Sequence, residues 1–340
     1  MNAVDAVLEA HLRRDSGSLG PEYARLWAAL GDAAEGGKRF RPALVAAMYR
    51  SLGGGDDELA TRVGAAVELL HCAFVIHDDV IDGDDTRRGR PNVSGTFYAA
   101  ARRAGAADGP ARGYADTAGI LAGDLALAAA VRAMATCGAA PAVTTRLLDL
   151  MDEALHVTAA GELADVHLSL DLAPVSLGEV LTMEERKTAV YSFELPLQAG
   201  AVLAGAPEPL VAGLAELGRL VGISFQLLDD LQGVFGSEDL TGKSVLADLR
   251  EGKHTPLMAH ARTTAAWPRI AAYVGDPDLT EAHAGEVREL LTTCGSRTFI
   301  EDLAEDYVSA ALGLAADLGV ADDVVAHLTA LTDQLVRRAA

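Results

Sequence analysis

The residues best placed to do chemistry lie at positions 71–91, HCAFVIHDDVIDGDDTRRGRP. The helical period puts His71, Val75, Asp78 and Asp82 on one face, with Asp79 on its flank. Like charges one helical turn apart repel, and off water they need a cation. Three carboxylates at the end of an apolar helix suit an oxygen-ligated divalent cation, above all Mg²⁺. Arg87 and Arg88, directly after them, are out of place at a bare metal site. They suit a metal shared with a phosphate-bearing ligand, which guanidinium groups bind through paired hydrogen bonds. In so acidic a chain, paired aspartates also arise as helix starts or solvated surface, as at Asp56-Asp57 and Asp322-Asp323. The apolar run at 73–76 and the arginine pair favour a site.

Other charged groups fall into the same chemistry. Gly36-Gly37-Lys38-Arg39-Phe40-Arg41-Pro42 joins a permissive backbone to basic residues at a helix start, which is a ready anion site. The plainer reading is a basic helix start that balances nearby acid. Glu162 and Asp165 sit on a mostly apolar helix and either face a cavity or are paired within the structure. Lys187-Thr188 opens an apolar run, where the ammonium hangs over a cavity or snorkels to the surface. Gln226, Asp229 and Asp230 share a second helical face, with Gly233 where a third carboxylate would mirror the first cluster. Lys243, Asp248 and Lys253 follow in a loop. An exposed acidic helix end with a solvated loop is the alternative there. Residues 236–244 resemble a nucleotide-triphosphate loop but are one residue too long, and no strand precedes them.

The elements that must carry these groups read as helix after helix. Half the chain is hydrophobic, aromatics are 5%, and alanine and leucine are abundant, which favours helix over sheet. The spacing predicts helices near 3–14 and 21–30, a break at Gly53-Gly54-Gly55, and a long helix capped by Asp56. Helical patterns continue over 92–105, 114–136 and 141–170, and from 254 to the end with breaks near Pro268 and Pro277. Gly119, Ala122, Gly123 and Ala126 read as a close-packing surface. No alternating β-pattern, repeat or low-complexity linker stands out. The expected fold is all-α: a single-domain helical bundle over 1–340 around a central cavity, with the two acidic helices facing each other across it.

A net charge of −21 argues against nucleic acid and anionic membrane surfaces as partners. An anionic substrate must then be held by local basic clusters. Asp124 and Arg132 interrupt the best candidate for a membrane span. The early charges of residues 1–15 do not form a secretory signal, and Cys72, Cys137 and Cys294 are dispersed as in a reducing compartment. A soluble cytoplasmic protein is expected.

Over nearly its whole length the chain resembles the trans-isoprenyl diphosphate synthases, or polyprenyl synthetases, and most of all their bacterial geranylgeranyl diphosphate members. The motifs stand in that family's order: GGKRFRP, LLHxxxxIHDDxxD with RRGxP, KT, then FQxxDD with GK, D and GK downstream. The resemblance implies a homodimeric prenyltransferase that joins isopentenyl diphosphate to an allylic diphosphate (dimethylallyl, geranyl or farnesyl). It implies about three Mg²⁺ ions per site, held by Asp78, Asp79, Asp82, Asp229 and Asp230. It assigns Arg87, Lys187, Lys243 and Lys253 to the allylic diphosphate, and Lys38, Arg41, His71 and Arg88 to that of isopentenyl diphosphate. Thr188 and Gln226 would line the reacting end. Gly233 departs from the pattern and puts metal affinity or chain-length behaviour in question. Ala73 and Phe74, beneath the first cluster, would set product length. One small and one bulky residue there favour geranylgeranyl diphosphate (C20), with farnesyl diphosphate (C15) as the alternative. A class I terpene cyclase would not need GGKRFRP, and no N-x-x-x-S-x-x-x-E pattern follows Asp230. A non-catalytic subunit of a partner synthase is the remaining alternative.

Overall fold

Local sequence sets where the helices begin. Asp56 accepts a hydrogen bond from the Leu59 amide (2.9 Å) and caps the long helix, whose first turn adds Asp57 and Glu58 at the favoured end of the dipole. Asn92 caps the next helix by accepting from the Gly95 amide (2.8 Å). Ser176 and Glu179 close a reciprocal capping box.

The structure is a computed structural model that describes residues 3–12, 17–170, 172, 173, 175–236 and 247–339. Helices α1 (Ala3–Leu12), α2 (Pro21–Ala34), α3 (Phe40–Ser51) and α4 (Asp57–Ile81) precede a hairpin of β1 (Thr86–Arg87) and β2 (Arg90–Pro91). Then come α5 (Val93–Arg103), α6 (Asp108–Ala135), α7 (Pro141–Ser169) and α8 (Leu177–Glu184). A π-helical segment (Glu185–Glu194) leads into α9 (Leu195–Leu203) and the long α10 (Glu208–Phe235). The order ends with α11 (Ala247–Glu251), α12 (Pro256–Ala261), α13 (Trp267–Ile270), α14 (Glu281–Thr293), α15 (Ser296–Asp317) and α16 (Asp322–Ala339). The all-α expectation holds. The hairpin is the departure from it, and it sits at the chemistry.

The chain gathers into two compact units, Met1–Met151 with Ala199–Ala206, and Asp152–Gln198 with Pro207–Ala340. In the first, α6 packs along α4 through an alanine face of Ala111, Ala115, Ala122, Ala126 and Ala130, all fully buried. The approach is close: a Cβ on Gly119 would fall 2.3 Å from Val80 Cγ2, and one on Gly123 2.2 Å from His77 Nε2. The small residues of α6 are therefore packing residues. In the second unit, Ile223, Leu227 and Leu231 of α10 pack with Leu257, Leu291 and Ile300.

By length and composition alone α4, α6 and α10 could each cross a membrane, Asp124 and Arg132 within α6 notwithstanding. Half or more of each apolar window is buried within the fold, α4 at 67% most of all. Burial against other helices accounts for that apolarity without a membrane.

Candidate active site

The first acidic cluster stands at the C-terminal end of α4, where the helix dipole is already negative. Three carboxylates there raise the local demand for a cation. Asp79 is buried, Asp78 half-buried, and Asp82 exposed as the C-terminal cap. Arg87 supplies part of the neutralisation: its Nε donates to Asp79 Oδ1 (2.7 Å) and its Nη2 to Asp78 Oδ2 (3.1 Å). Burial pushes the Asp79 carboxyl up to about 6, against the opposing pull of Arg87.

The β1–β2 hairpin delivers the arginines. Thr86 pairs with Pro91 and Arg87 with Arg90, leaving Arg88 and Gly89 as a two-residue turn. Both have positive φ (55° and 71°), the signature of a type I′ turn. Arginine at such a position stores strain, which tertiary contacts must hold. Arg112 of α6 grips Asp85 with both Nη atoms (2.7 and 3.0 Å), anchoring the hairpin.

The turn sends Arg88 to the basic loop. Gly36 and Gly37 have φ of 74° and 82°, and a Cβ on Gly37 would lie 3.3 Å from Arg88 Nη2. The positive φ is what calls for glycine at both positions. Arg88 Nη1 also donates to Glu35 O (3.4 Å). Lys38 is exposed; Arg41 is buried, its guanidinium 4.4 Å above the Phe40 ring. A cavity of about 220 Å³ is lined by Gly36, His71, Val75, Asp79, Arg87 and Arg88. Burial first, and then Arg41, Arg88, Arg87 and Arg39, push the His71 imidazole well below its ordinary range, so it is neutral at pH 7. The cavity follows the i, i+4 row His71–Val75–Asp79, so Asp79, not Asp78, forms its wall. That row runs oblique to the helix axis, and the sequence reading followed the straighter i+7 stripe. Ala73 is buried and Phe74 half-buried one turn before Asp78.

Cys72 also lines the cavity, but burial pushes its thiol up to about 12, which leaves it unreactive.

In the second unit, Gln226 Nε2 donates to Asp230 Oδ1 (3.0 Å). Asp230 is buried, Asp229 exposed, and Gly233 partly buried one turn beyond Asp229. Glu184, at the end of α8, is buried; burial and then Asp230, Asp165 and Asp229 push its carboxyl well above the usual range. Lys187 Nζ binds Asp165 Oδ2 (2.7 Å) and Glu162 Oε1 (3.1 Å), so the carboxylate pair and the lysine, read apart in the sequence, form one charge cluster. Thr188 is half-buried beside it in the π-helical segment, a distortion that often marks functional sites. Lys253 is half-exposed and pairs with Glu251 (3.1 Å). Lys243 lies outside the described residues.

Glu194 ends the π-helical segment. Burial, reinforced by Glu185, pushes its carboxyl up to about 7. Its folded value exceeds the unfolded one, so stability is highest below the unfolded value and falls as pH rises through about 7. Glu194→Gln should therefore raise Tm by a few degrees at pH 8, on the order of 1–3 kcal/mol. The gap should shrink at pH 5 and close below about pH 4. Differential scanning calorimetry at these pH values checks it; an equal gap at every pH would contradict it.

Among the described residues, no three His, Cys, Asp or Glu side chains stand close enough to form a complete metal cage. That suits Mg²⁺, which keeps waters and binds through one or two carboxylates plus substrate phosphates. Within its own unit each helix carries a buried and an exposed aspartate, Asp79 and Asp82 at the end of α4 and Asp230 and Asp229 in α10.

An all-helical chain with aspartate-ended helices beside arginine and lysine clusters has the form of an enzyme that handles diphosphates with a divalent metal. The chain belongs to the polyprenyl synthetase family, whose model matches residues 25–290, and it is a trans-prenyltransferase. It is 32% identical over 312 residues to a (2E,6E)-farnesyl diphosphate synthase of Mycobacterium tuberculosis, covering 89% of this chain and 80% of that one. It is likewise 32% identical over 273 residues to a geranylgeranyl diphosphate synthase of Methanosarcina mazei, covering 80% and 77%. Its fold matches the crystal structure of geranylgeranyl pyrophosphate synthase from Corynebacterium glutamicum, complexed with isoprenyl diphosphate and magnesium. That match has a TM-score of 0.89 at 29% identity and covers 98% and 97% of the two chains.

Sequence reasoning did not single out Glu68, Asp85, Arg112 or Glu184. A lone Glu or Arg on a helix carries no spacing signal.

Proposed function

We propose that the chain condenses isopentenyl diphosphate with an allylic diphosphate to give geranylgeranyl diphosphate. The observation that supports this reading best is the meeting of Asp79, Arg87, Arg88, His71 and the Gly36-Gly37 loop around one cavity. The two compact units act as one synthase domain over 1–340, in a soluble, cytoplasmic homodimer. Ile120 and Leu121 are each 48% exposed on α6, an apolar surface that a second copy would cover. Ile120→Glu combined with Leu121→Glu should shift the protein from dimer to monomer in sedimentation velocity; an unchanged profile would reject that interface.

Asp78, Asp79, Asp82, Asp229 and Asp230 would hold Mg²⁺, about three ions per site. When bound, Mg²⁺ supplies Lewis-acid stabilisation of the leaving diphosphate. Arg87, Lys187, Lys243 and Lys253 bind the allylic diphosphate and stabilise the negative charge that grows as its C–O bond breaks. Lys38, Arg41, Arg88 and the neutral His71 hold the diphosphate of isopentenyl diphosphate. The Thr188 and Gln226 dipoles face the allylic cation. The isopentenyl double bond attacks that cation, forming the new C–C bond. The proton then lost passes to the released diphosphate, because Thr188 and Gln226 are neutral. Apolar walls exclude the water that would quench the cation.

Product length is set by Ala73 and Phe74. Phe74 lies one turn, about 5.4 Å, below Asp78, and a small Ala73 leaves room for one isoprene unit beyond farnesyl. Phe74→Ala should shift the main product to C25 or longer; an unchanged product profile would end this idea. The function as a whole is tested by incubating the protein with labelled isopentenyl diphosphate and each allylic primer, with and without a chelator. Labelled C20 that disappears on chelation is expected. A main product of C15 would move the reading to farnesyl diphosphate.

A further inference from the structure

Arg39 stands in the middle of the basic loop and lines the same cavity as His71 and Arg88, yet its guanidinium is taken up by protein acceptors. Nε donates to Asp5 Oδ1 (3.0 Å), Nη1 to Glu68 Oε1 (2.8 Å) and Nη2 to Ala34 O (2.6 Å). Its backbone is left-handed (φ 52°, ψ 34°) and follows two left-handed glycines. An L-residue there is strained by about 1–2 kcal/mol and persists only where its surroundings hold it. The three hydrogen bonds are that hold. Glu68 is 6% exposed, lies on α4 one helical turn before His71 and Cys72, and lines the same cavity. Its second oxygen, Oε2, is buried and has no hydrogen-bond partner among the described residues. Asp5 lies on α1, which makes the first helix part of the same latch.

We propose that Arg39 is a positioning residue, latched by Glu68 and Asp5, that fixes the loop at 36–41 so that Lys38, Arg41 and Arg88 converge on the diphosphate of isopentenyl diphosphate. This rests on the function proposed above. The latch spends the charge of Arg39 on backbone geometry rather than on substrate. Without it Arg39 relaxes out of the left-handed region, and the Gly36-Gly37 turn that receives Arg88 loses its far end. Because the allylic diphosphate is held by other side chains, damage to the latch falls on one substrate only.

The test is two-substrate steady-state kinetics, with calorimetric binding of isopentenyl diphosphate alone. Glu68→Gln keeps the shape and removes the charge. It should raise KM and Kd for isopentenyl diphosphate about tenfold, as weakening a charge-assisted hydrogen bond does. KM for farnesyl diphosphate should stay within about twofold and kcat within about threefold. Asp5→Asn, at a more exposed partner, should move the same KM about two- to threefold. Equal rises in both KM values, or a lower Tm with both unchanged, would overturn the proposal. If Glu68→Gln does not fold, an unchanged KM for isopentenyl diphosphate in Asp5→Asn overturns it instead. Wild-type protein run in parallel separates the two ideas: failure to consume isopentenyl diphosphate at all would strike the proposed function, not the latch.

Discussion

Asp79→Asn is expected to lower kcat/KM by about three orders of magnitude, the scale of losing a metal-borne share of leaving-group stabilisation. Asp79 is the carboxylate that walls the cavity, and it is bonded to Arg87, which also reaches Asp78. Asparagine keeps the shape and the acceptor but removes the charge. Stability at neutral pH should not fall and should rise slightly, because burial outweighs Arg87 and holds the Asp79 carboxyl up at about 6. High Mg²⁺ should recover part of the lost activity, since weaker binding is overcome by mass action. Steady-state rates across a Mg²⁺ titration check this. Activity within threefold of wild type would remove Asp79 from the machinery.

Lys187→Met should cut kcat/KM about a hundredfold and destabilise the fold by about 1–3 kcal/mol. Lys187 is 22% exposed and neutralises Glu162 and Asp165, which stand one turn apart on α7. Without the ammonium the two carboxylates repel in a partly dry setting, hence the lost stability. The lost activity has a separate origin, a cation missing from the departing diphosphate. Adding Glu162→Gln and Asp165→Asn to Lys187→Met therefore should restore Tm but not turnover. Rescue of both by the added changes would show that Lys187 acts only on the fold.

Much of this was legible in the sequence because it rests on periodicity. Runs ending in Asp78-Asp79 and Asp229-Asp230 identify α4 and α10, and Asp56 caps where expected. The small residues of α6 pack as read. What was illegible depends on tertiary closure. Arg88 occupies a turn position that usually goes to Asn or Gly, so only the folded hairpin reveals it. Arg39 read only as one of the basic residues at a helix start, and its pairing with Glu68, far along the chain, carried no signal. Glu184 carries no spacing signal relative to Asp230, and only burial joins them. Glu162, Asp165 and Lys187 were each visible, but their pairing needed α7 and the π-helical segment laid together: a Cβ on Gly161 would meet Lys187 N at 2.3 Å.

The proposed chemistry requires both aspartate-ended helices to serve the same ions. Counting Mn²⁺ bound in the presence of inorganic diphosphate, by electron paramagnetic resonance, tests that most directly. Wild-type protein should take up Mn²⁺ in a diphosphate-dependent way, and Asp79→Asn and Asp229→Asn should each lose most of it. If Asp229→Asn binds as many ions as wild type, the second helix has no part in the metal site and the mechanism fails.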